Sequence, residues 1–301
     1  MINKGGIAMR NVARELCSVS LGERIPTVSE LEQSCGASRG NIQKALSSLK
    51  DSGAIGLEAH GQNGTFLTKI DYLALACACR NDHLTGVMPL PYTARYEGLA
   101  TALFTLLNTE NIRAYITFQR GSEARIQTLM DGSANYCVMS RLTYNEYVNR
   151  GFPVSAVLDC GPFSYVGRHV LFARDPNRTD WSGARVGIDT SSVDQSQLTY
   201  RYFAPYDVEY IPVQYMHILD MLHTGQLDAG IWNEDDVHMS SIKVAKRPLE
   251  NNVAQDGNTY AIIVTRSADT FTSQLIRMLV TPEAICTIQH KVMNNELPAR
   301  Y

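Results

Sequence analysis

Apolar positions recur at helical spacing at Val12, Leu16 and Val19, which predicts a first helix over about residues 7–20. Pro26 halts the chain, and Thr27-x-x-Glu30 has the form of a capping box opening a short helix to about Ser34. Gly36 supplies a turn and Ser38 an N-cap for a third helix, about Arg39 to Ser52. Ile42, Ala45, Leu46 and Leu49 line its apolar side, while Arg39, Asn41, Gln43 and Lys44 crowd the N-terminal part of its polar side. Two short apolar runs, Ala54–Leu57 and Thr65–Leu67, flank a glycine-containing turn and predict a hairpin.

From residue 70 onward strands alternate with helices. Ile70 to Cys79 is nearly all apolar and predicts a strand covered on both faces. Further strands are predicted at 114–118, 136–139, 154–158, 166–173, 185–188, 208–213, 229–232 and 260–265. Helices are predicted before Leu107, from Gly121, from a second Thr-x-x-Glu box at Thr143–Glu146, near 193–203 and 216–224, and from Thr270 onward. That alternation implies an α/β class with largely parallel sheets.

Composition adds limits. The 301 residues are 45% hydrophobic and 19% charged, which fits a folded chain of about two domains rather than disorder. No apolar run reaches the roughly 20 residues of a membrane span, and Met1–Arg10 lacks the apolar centre of a secretory signal, so a cytoplasmic protein without membrane attachment is expected. Seven cysteines without Cys-x-x-Cys spacing point to reduced, buried thiols and to no zinc or other metal. The net charge of −3 divides unevenly: residues 1–70 carry +2 and the remainder −5.

The N-terminal motifs resemble the GntR class of winged helix-turn-helix regulators. The match rests on Ile25-Pro26-Thr27, Gly36-Ala-Ser38-Arg39, Ala45-Leu-x-x-Leu49 and Gly61-x-x-Gly64-Thr-Phe66. Ser29 stands where the class usually has a DNA-holding Arg, and Gly40 where Thr or Pro is common. The resemblance implies a head over residues 1–70 that binds a double-stranded DNA operator. Ser38, Arg39, Asn41, Gln43 and Lys44 would lie in the major groove and His60 and Gln62 on the wing, since Arg reads guanine and Asn or Gln reads adenine. Residues 71–301 resemble a type II periplasmic-binding-protein fold. Asp175–Ile188 looks like the entry to the second lobe, and Leu222–Trp232 like a helix-strand step within it. The first lobe would hold about 71–172 and 258–301 and the second about 173–257, with chain crossings near Leu171–Arg174 and Asn258–Val264. The whole arrangement resembles the YhfZ-type family of bacterial regulators.

That resemblance implies a homodimer with a small effector between the lobes, where helix N-termini offer free amides, and two arginines among hydroxyls in those loops point to an anionic one. The loops supply Tyr92 and Thr93, Arg120 and Ser122, Ser140 and Arg141, Thr190 and Ser191, and Asn233 as candidates. No nucleophile elbow, His-Glu-x-x-His or phosphate loop is present, so no enzyme and no cofactor are expected. Two alternatives stay open. The body could be an enzyme or former enzyme with the head as a docking or dimerisation module, or it could only dimerise. Glu234-Asp235-Asp236 reads as an acidic turn, and His217 and His223 lie too far apart on one helix to share a metal.

Overall fold

In the computed structural model, residues 4–79, 83–110, 112–235, 244–249 and 256–301 are described. The chain divides into two units, Met1–Leu84 with Leu106–Tyr115 and Ser267–Leu279, and Thr85–Thr105 with Ile116–Arg266 and Val280–Tyr301.

The first unit opens with α1 (Lys4–Leu16), α2 (Val28–Cys35) and α3 (Arg39–Asp51), followed by the hairpin β1 (Ile55–Ala59) and β2 (Thr65–Ile70). Ala8, Val12, Leu16, Leu31, Ile42, Ala45 and Leu49 are buried together, so the three apolar stripes form one small core. The capping box forms: the Thr27 amide donates to Glu30 Oε2 at 2.6 Å and the Glu30 amide to Thr27 Oγ1 at 3.2 Å. Those bonds hold the Glu30 carboxyl below its usual range. Gly36 closes α2 in the left-handed region (φ 60°), as a helix C-cap demands.

The apolar run after β2 is not a strand. It is helix α4 (Tyr72–Cys79), started by Asp71, whose Oδ1 accepts from the Ala74 amide at 3.0 Å. Alanine- and leucine-rich Leu73-Ala-Leu-Ala-Cys-Ala favours helix, and apolarity on every side cannot separate a buried strand from a buried helix. Cys77 and Cys79 therefore do not share a face: Cys77 is exposed and Cys79 buried. Cys286 is exposed as well, so the expectation of buried thiols fails at two positions. α10 (Thr270–Leu279) packs on α4 in the same unit, with Tyr72 and Phe271 rings 5.8 Å apart.

The remainder builds two five-stranded sheets. The first uses β3 (His83–Met88), β4 (Arg113–Phe118), β5 (Tyr136–Ser140), β6 (Val154–Asp159) and β12 (Ala261–Arg266), in the order β4-β3-β5-β12-β6. The second uses β7 (His169–Ala173), β8 (Arg185–Ile188), β9 (Glu209–Pro212), β10 (Ala229–Asn233) and β11 (Ala245–Pro248), in the order β11-β7-β10-β8-β9. The sheets are mixed, not largely parallel. β3–β5 and β8–β9 are parallel pairs, but β12 runs antiparallel to β5 and β6, and β7 antiparallel to β10 and β11. The strands next to each passage between sheets enter against the local direction. The chain passes from the first sheet to the second between Asp159 and His169, so Leu171 already lies within the second sheet.

Helices cover the sheets: α5 (Ala94–Leu107), α6 (Ser122–Met130), α7 (Arg141–Asn149), α8 (Val193–Phe203), α9 (Ile218–His223) and α11 (Pro282–Met293). On β7, Leu171 and Ala173 join Trp181, Leu198 and Phe203 on one side, while Val170 and Phe172 join Ile218, Leu222 and Trp232 on the other. Alternate residues thus meet different layers, which explains the unbroken apolar run in the sequence. α7 begins three residues before the Thr143 box: Ser140 is its cap, and Ser140 Oγ accepts from the Thr143 amide at 2.9 Å.

Of the acidic turn, Glu234 is paired with Arg168 and Lys246, which hold its carboxyl at about 2. Asp235 is paired with Arg95 at 2.9 Å, and Asp236 lies outside the described residues. No helix among the described residues is long and apolar enough to cross a membrane.

Candidate functional site

Among the described residues two features are candidates for a functional site, one in each unit. In the first, α3 exposes Arg39, Gln43 and Lys44 in a row, with Asn41 half-buried beside them. Ser38 stands at the cap position, exposed, with its side chain outside the capping bonds. On the wing, His60 packs on Phe66 at 4.9 Å and lies 3.2 Å from Glu58, while Gln62 sits exposed in the tip turn. Arg24 runs beneath the wing, so close to Gly64 that a Cβ there would lie 2.7 Å from it. The wing is thereby braced against the strand-like segment that precedes α2.

In the second unit a cleft opens where the two sheets face each other. It encloses about 60 Å³, room for roughly four or five water-sized groups. From the first sheet's side come Tyr92, Tyr96, Arg120, Ser122 and Arg125; from the second come His169, Asp189, Ser192, Asp194 and Tyr215; Tyr165 lies on the passage between. The tyrosines form a linked wall: Tyr96 meets Tyr92 and Tyr165 edge-on at 5.4 and 5.2 Å, and Tyr215 stacks on Trp232 at 4.1 Å. Each such pair is worth about 0.5–1.5 kcal/mol beyond its buried area, so the wall is stiff.

Arg125 is the unusual member. It is only 5% exposed, on the buried face of α6 with Ile126 and Leu129. Its guanidinium donates to the carbonyls of Gln119 and Gly121, both at 3.1 Å, and to the Tyr165 hydroxyl at 3.3 Å. Its Nε is buried without a partner. Burial works against the charge, but neighbouring groups, Tyr165 first, outweigh it, and Arg125 is held above its ordinary value as a firm cation. Arg125 is thus a buried cation bonded to neutral oxygens, with one N–H unanswered.

The carboxylates opposite are already engaged. Asp189 accepts from the Ser191 amide and hydroxyl and from the Tyr215 amide, and lies 3.7 Å from Arg120. Asp194 accepts from Ser140 Oγ at 2.6 Å across the lobes, and burial pushes its carboxyl up to about 6. Burial pushes His169 down to about 4, and its Nδ1 lies 3.1 Å from the Asn258 amide nitrogen. The lobes also meet where the Ser122 amide donates to the Ser191 carbonyl at 2.9 Å and Gln197 to Glu146 at 3.0 Å. Gly121, at φ 77°, lets this contact form, since a Cβ there would lie 3.0 Å from Ser191.

Of the residues expected from the sequence, Tyr92, Arg120 and Ser122 line the cleft. Ser140, Ser191 and Asn233 stand one contact behind it, on Asp194, Asp189 and Tyr215 respectively. Thr93 is buried and caps α5 through the Tyr96 amide. Arg141 lies over the Tyr260 ring and pairs with Asp159, and Thr190 is exposed; neither is among the lining residues. Arg125, Tyr96, Tyr165, His169 and Asp194 were not read from the sequence. Arg125 alone carried a signal, a charge on an otherwise apolar helical stripe. Among the described residues no cluster of His, Cys, Asp and Glu is placed to hold a metal.

These features define a class: a winged helix-turn-helix segment followed by a two-lobed α/β domain of the periplasmic-binding-protein kind. Residues 20–67 match a helix-turn-helix domain, and residues 71–301 match the YhfZ C-terminal domain. The chain belongs to the YhfZ family. It is 33% identical to the uncharacterized protein YhfZ of Escherichia coli (strain K12), over all of this chain and 98% of that one. The crystal structure of YhfZ from Shigella flexneri superposes with a TM-score of 0.63 at 31% identity, over 73% of this chain and 94% of that one. The methionine-binding protein MetQ shares the fold at a TM-score of 0.50 and 10% identity, over 71% of this chain and 96% of that one. The substrate-binding protein of a methionine transporter from Streptococcus pneumoniae does so at 0.50 and 10%, over 71% and 92%.

Proposed function

We propose that this chain is a cytoplasmic, GntR-like transcriptional regulator whose residues 1–70 bind an operator as part of a homodimer. In this reading residues 71–301 bind a small effector carrying a carboxylate or similar anionic group. The observation that carries the effector is Arg125, a buried cation in the cleft with an unanswered N–H. A ligand carboxylate accepting from Nε would satisfy that atom and balance the charge together. The tyrosine wall suits a compact apolar remainder. Amino acids are the first class to screen, because two proteins sharing the body's fold are named for methionine.

The head supports the other half of the reading. Arg39, Gln43 and Lys44 are exposed on the helix that a winged fold lays in the major groove. With Ser29 and Gly40 in place of stronger contacts, one head binds weakly, and two heads spaced by the body supply the affinity. A duplex from the region upstream of the chain's own gene, compared with a scrambled duplex by gel shift, tests it. The operator reading expects a preference for the former that Arg39→Ala with Lys44→Ala abolishes. Equal binding of both duplexes, unchanged in the double variant, would remove it. Turnover of a screened carboxylate, rather than binding alone, would favour the enzyme alternative.

A further inference from the structure

We infer that Cys17 and Cys79 form a reversible disulfide that staples the end of α1 to α4, making the first unit sensitive to oxidants. Their sulfurs lie 3.3 Å apart, inside van der Waals contact, although the residues are 62 apart in sequence. Cys17 follows directly on α1 and is half-buried; Cys79 ends α4 and is buried, with its Sγ 2.8 Å from the Leu75 carbonyl. Two helices that pack along each other thus present their thiols to one another. Arg14 and Asp269 are the charged groups acting on Cys17. The contact distributes the ionisation unequally: the bond from Cys17 favours the thiolate on Cys79, and the same contact raises Cys17.

Of the pair only Cys17 is partly exposed, so it is the sulfur that meets the oxidant. With hydrogen peroxide as oxidant, Cys17 releases its proton to solvent and its sulfur attacks a peroxide oxygen. The O–O bond breaks, hydroxide leaves and takes a proton from solvent, and Cys17 becomes a sulfenic acid. The Cys79 sulfur then attacks the Cys17 sulfur. The S–S bond forms, the S–O bond breaks, and the hydroxide departs as water with the Cys79 proton. Two thiols are oxidised and one peroxide is reduced to two waters. Thiol–disulfide exchange with a reducing thiol reverses the step, as suits a compartment where lasting disulfides are rare. Because α3 packs on α1 in the same unit, the staple fixes the platform beneath the helix that carries Arg39 and Lys44.

The test is to treat the reduced full chain with limiting hydrogen peroxide, alkylate the remaining thiols after denaturation, and map the peptides without reduction. A Cys17–Cys79 peptide as the main linked species, reversed by dithiothreitol, is the expected result. The oxidised chain should also melt higher, by about 5 °C or more, because the closed loop is long. Cys77→Ser should keep both effects. Oxidation confined to Cys77 or Cys286, with Cys17 and Cys79 both alkylated, would overturn the inference. So would Cys17 linked to Cys77 as the main product. The peptide map uses the unaltered chain, so it decides the matter even where Cys17→Ser or Cys79→Ser fails to fold.

Discussion

Arg125 shows what a single residue can settle. Replacing it with Met keeps the volume but leaves the Gln119 and Gly121 carbonyls and the Tyr165 hydroxyl without their donor, so the fold should lose about 1–3 kcal/mol. Affinity for an anionic effector should fall at least about tenfold, the loss of a charged hydrogen bond or more. Calorimetric titration beside a urea melt separates the two effects.

Asp194 and His169 make a second prediction, from opposite signs. Asp194 is raised from 3.8 to about 6, so its protonated form favours the fold fully below pH 3.8, and this is lost as pH rises through about 6. His169 is lowered from 6.5 to about 4, so its contribution is present above pH 6.5 and lost as pH falls through about 4. Each spans roughly 3 kcal/mol at full titration, and the two nearly cancel between pH 4 and 6. Asp194→Asn should therefore raise stability at pH 7 and expose a steep loss on acidification; His169→Gln should expose a gain. Urea midpoints across that range give the slopes. Neither residue was legible in the sequence, because their shifts come from burial made by chain segments far away.

At the scale of the element, caps and stripes were the legible part. The Thr27–Glu30 box and the stripe of α3 stand in the structure as read, since both depend on residues within two turns. α4 was misread because Leu73–Ala78 has no polar face to set a period, and the Asp71 cap that decides for helix was passed over. Ser140 was legible as a loop residue but not as the joint between α7 and Asp194. Ser140→Ala should cost about 1–2 kcal/mol from the lost cap, and more through the Asp194 carboxylate left bare. Gly40→Ala should stabilise α3 by up to about 1 kcal/mol, as nothing lies within 4 Å of the added Cβ. A thermal melt of each variant checks both.

For the whole molecule, the α/β class was legible from alternation and the two lobes from the resemblance to a binding-protein fold, whereas mixed sheets were not, because strand direction follows from passages between sheets that leave no local pattern. The second unit has its lobes in contact through Ser122–Ser191 and Ser140–Asp194, so a ligand in the cleft would bind this state and hold it. The proposed regulator links that hold to the spacing of two heads. The most direct test is a fluorescence-anisotropy titration of the full chain against its upstream duplex. It is run with and without the carboxylate that most raises the melting temperature, for the unaltered chain and for Arg125→Met. The account predicts that this carboxylate shifts the duplex Kd of the unaltered chain by about fivefold or more and leaves that of Arg125→Met unmoved. A duplex affinity indifferent to the ligand in the unaltered chain, or a shift of equal size in Arg125→Met, would contradict it.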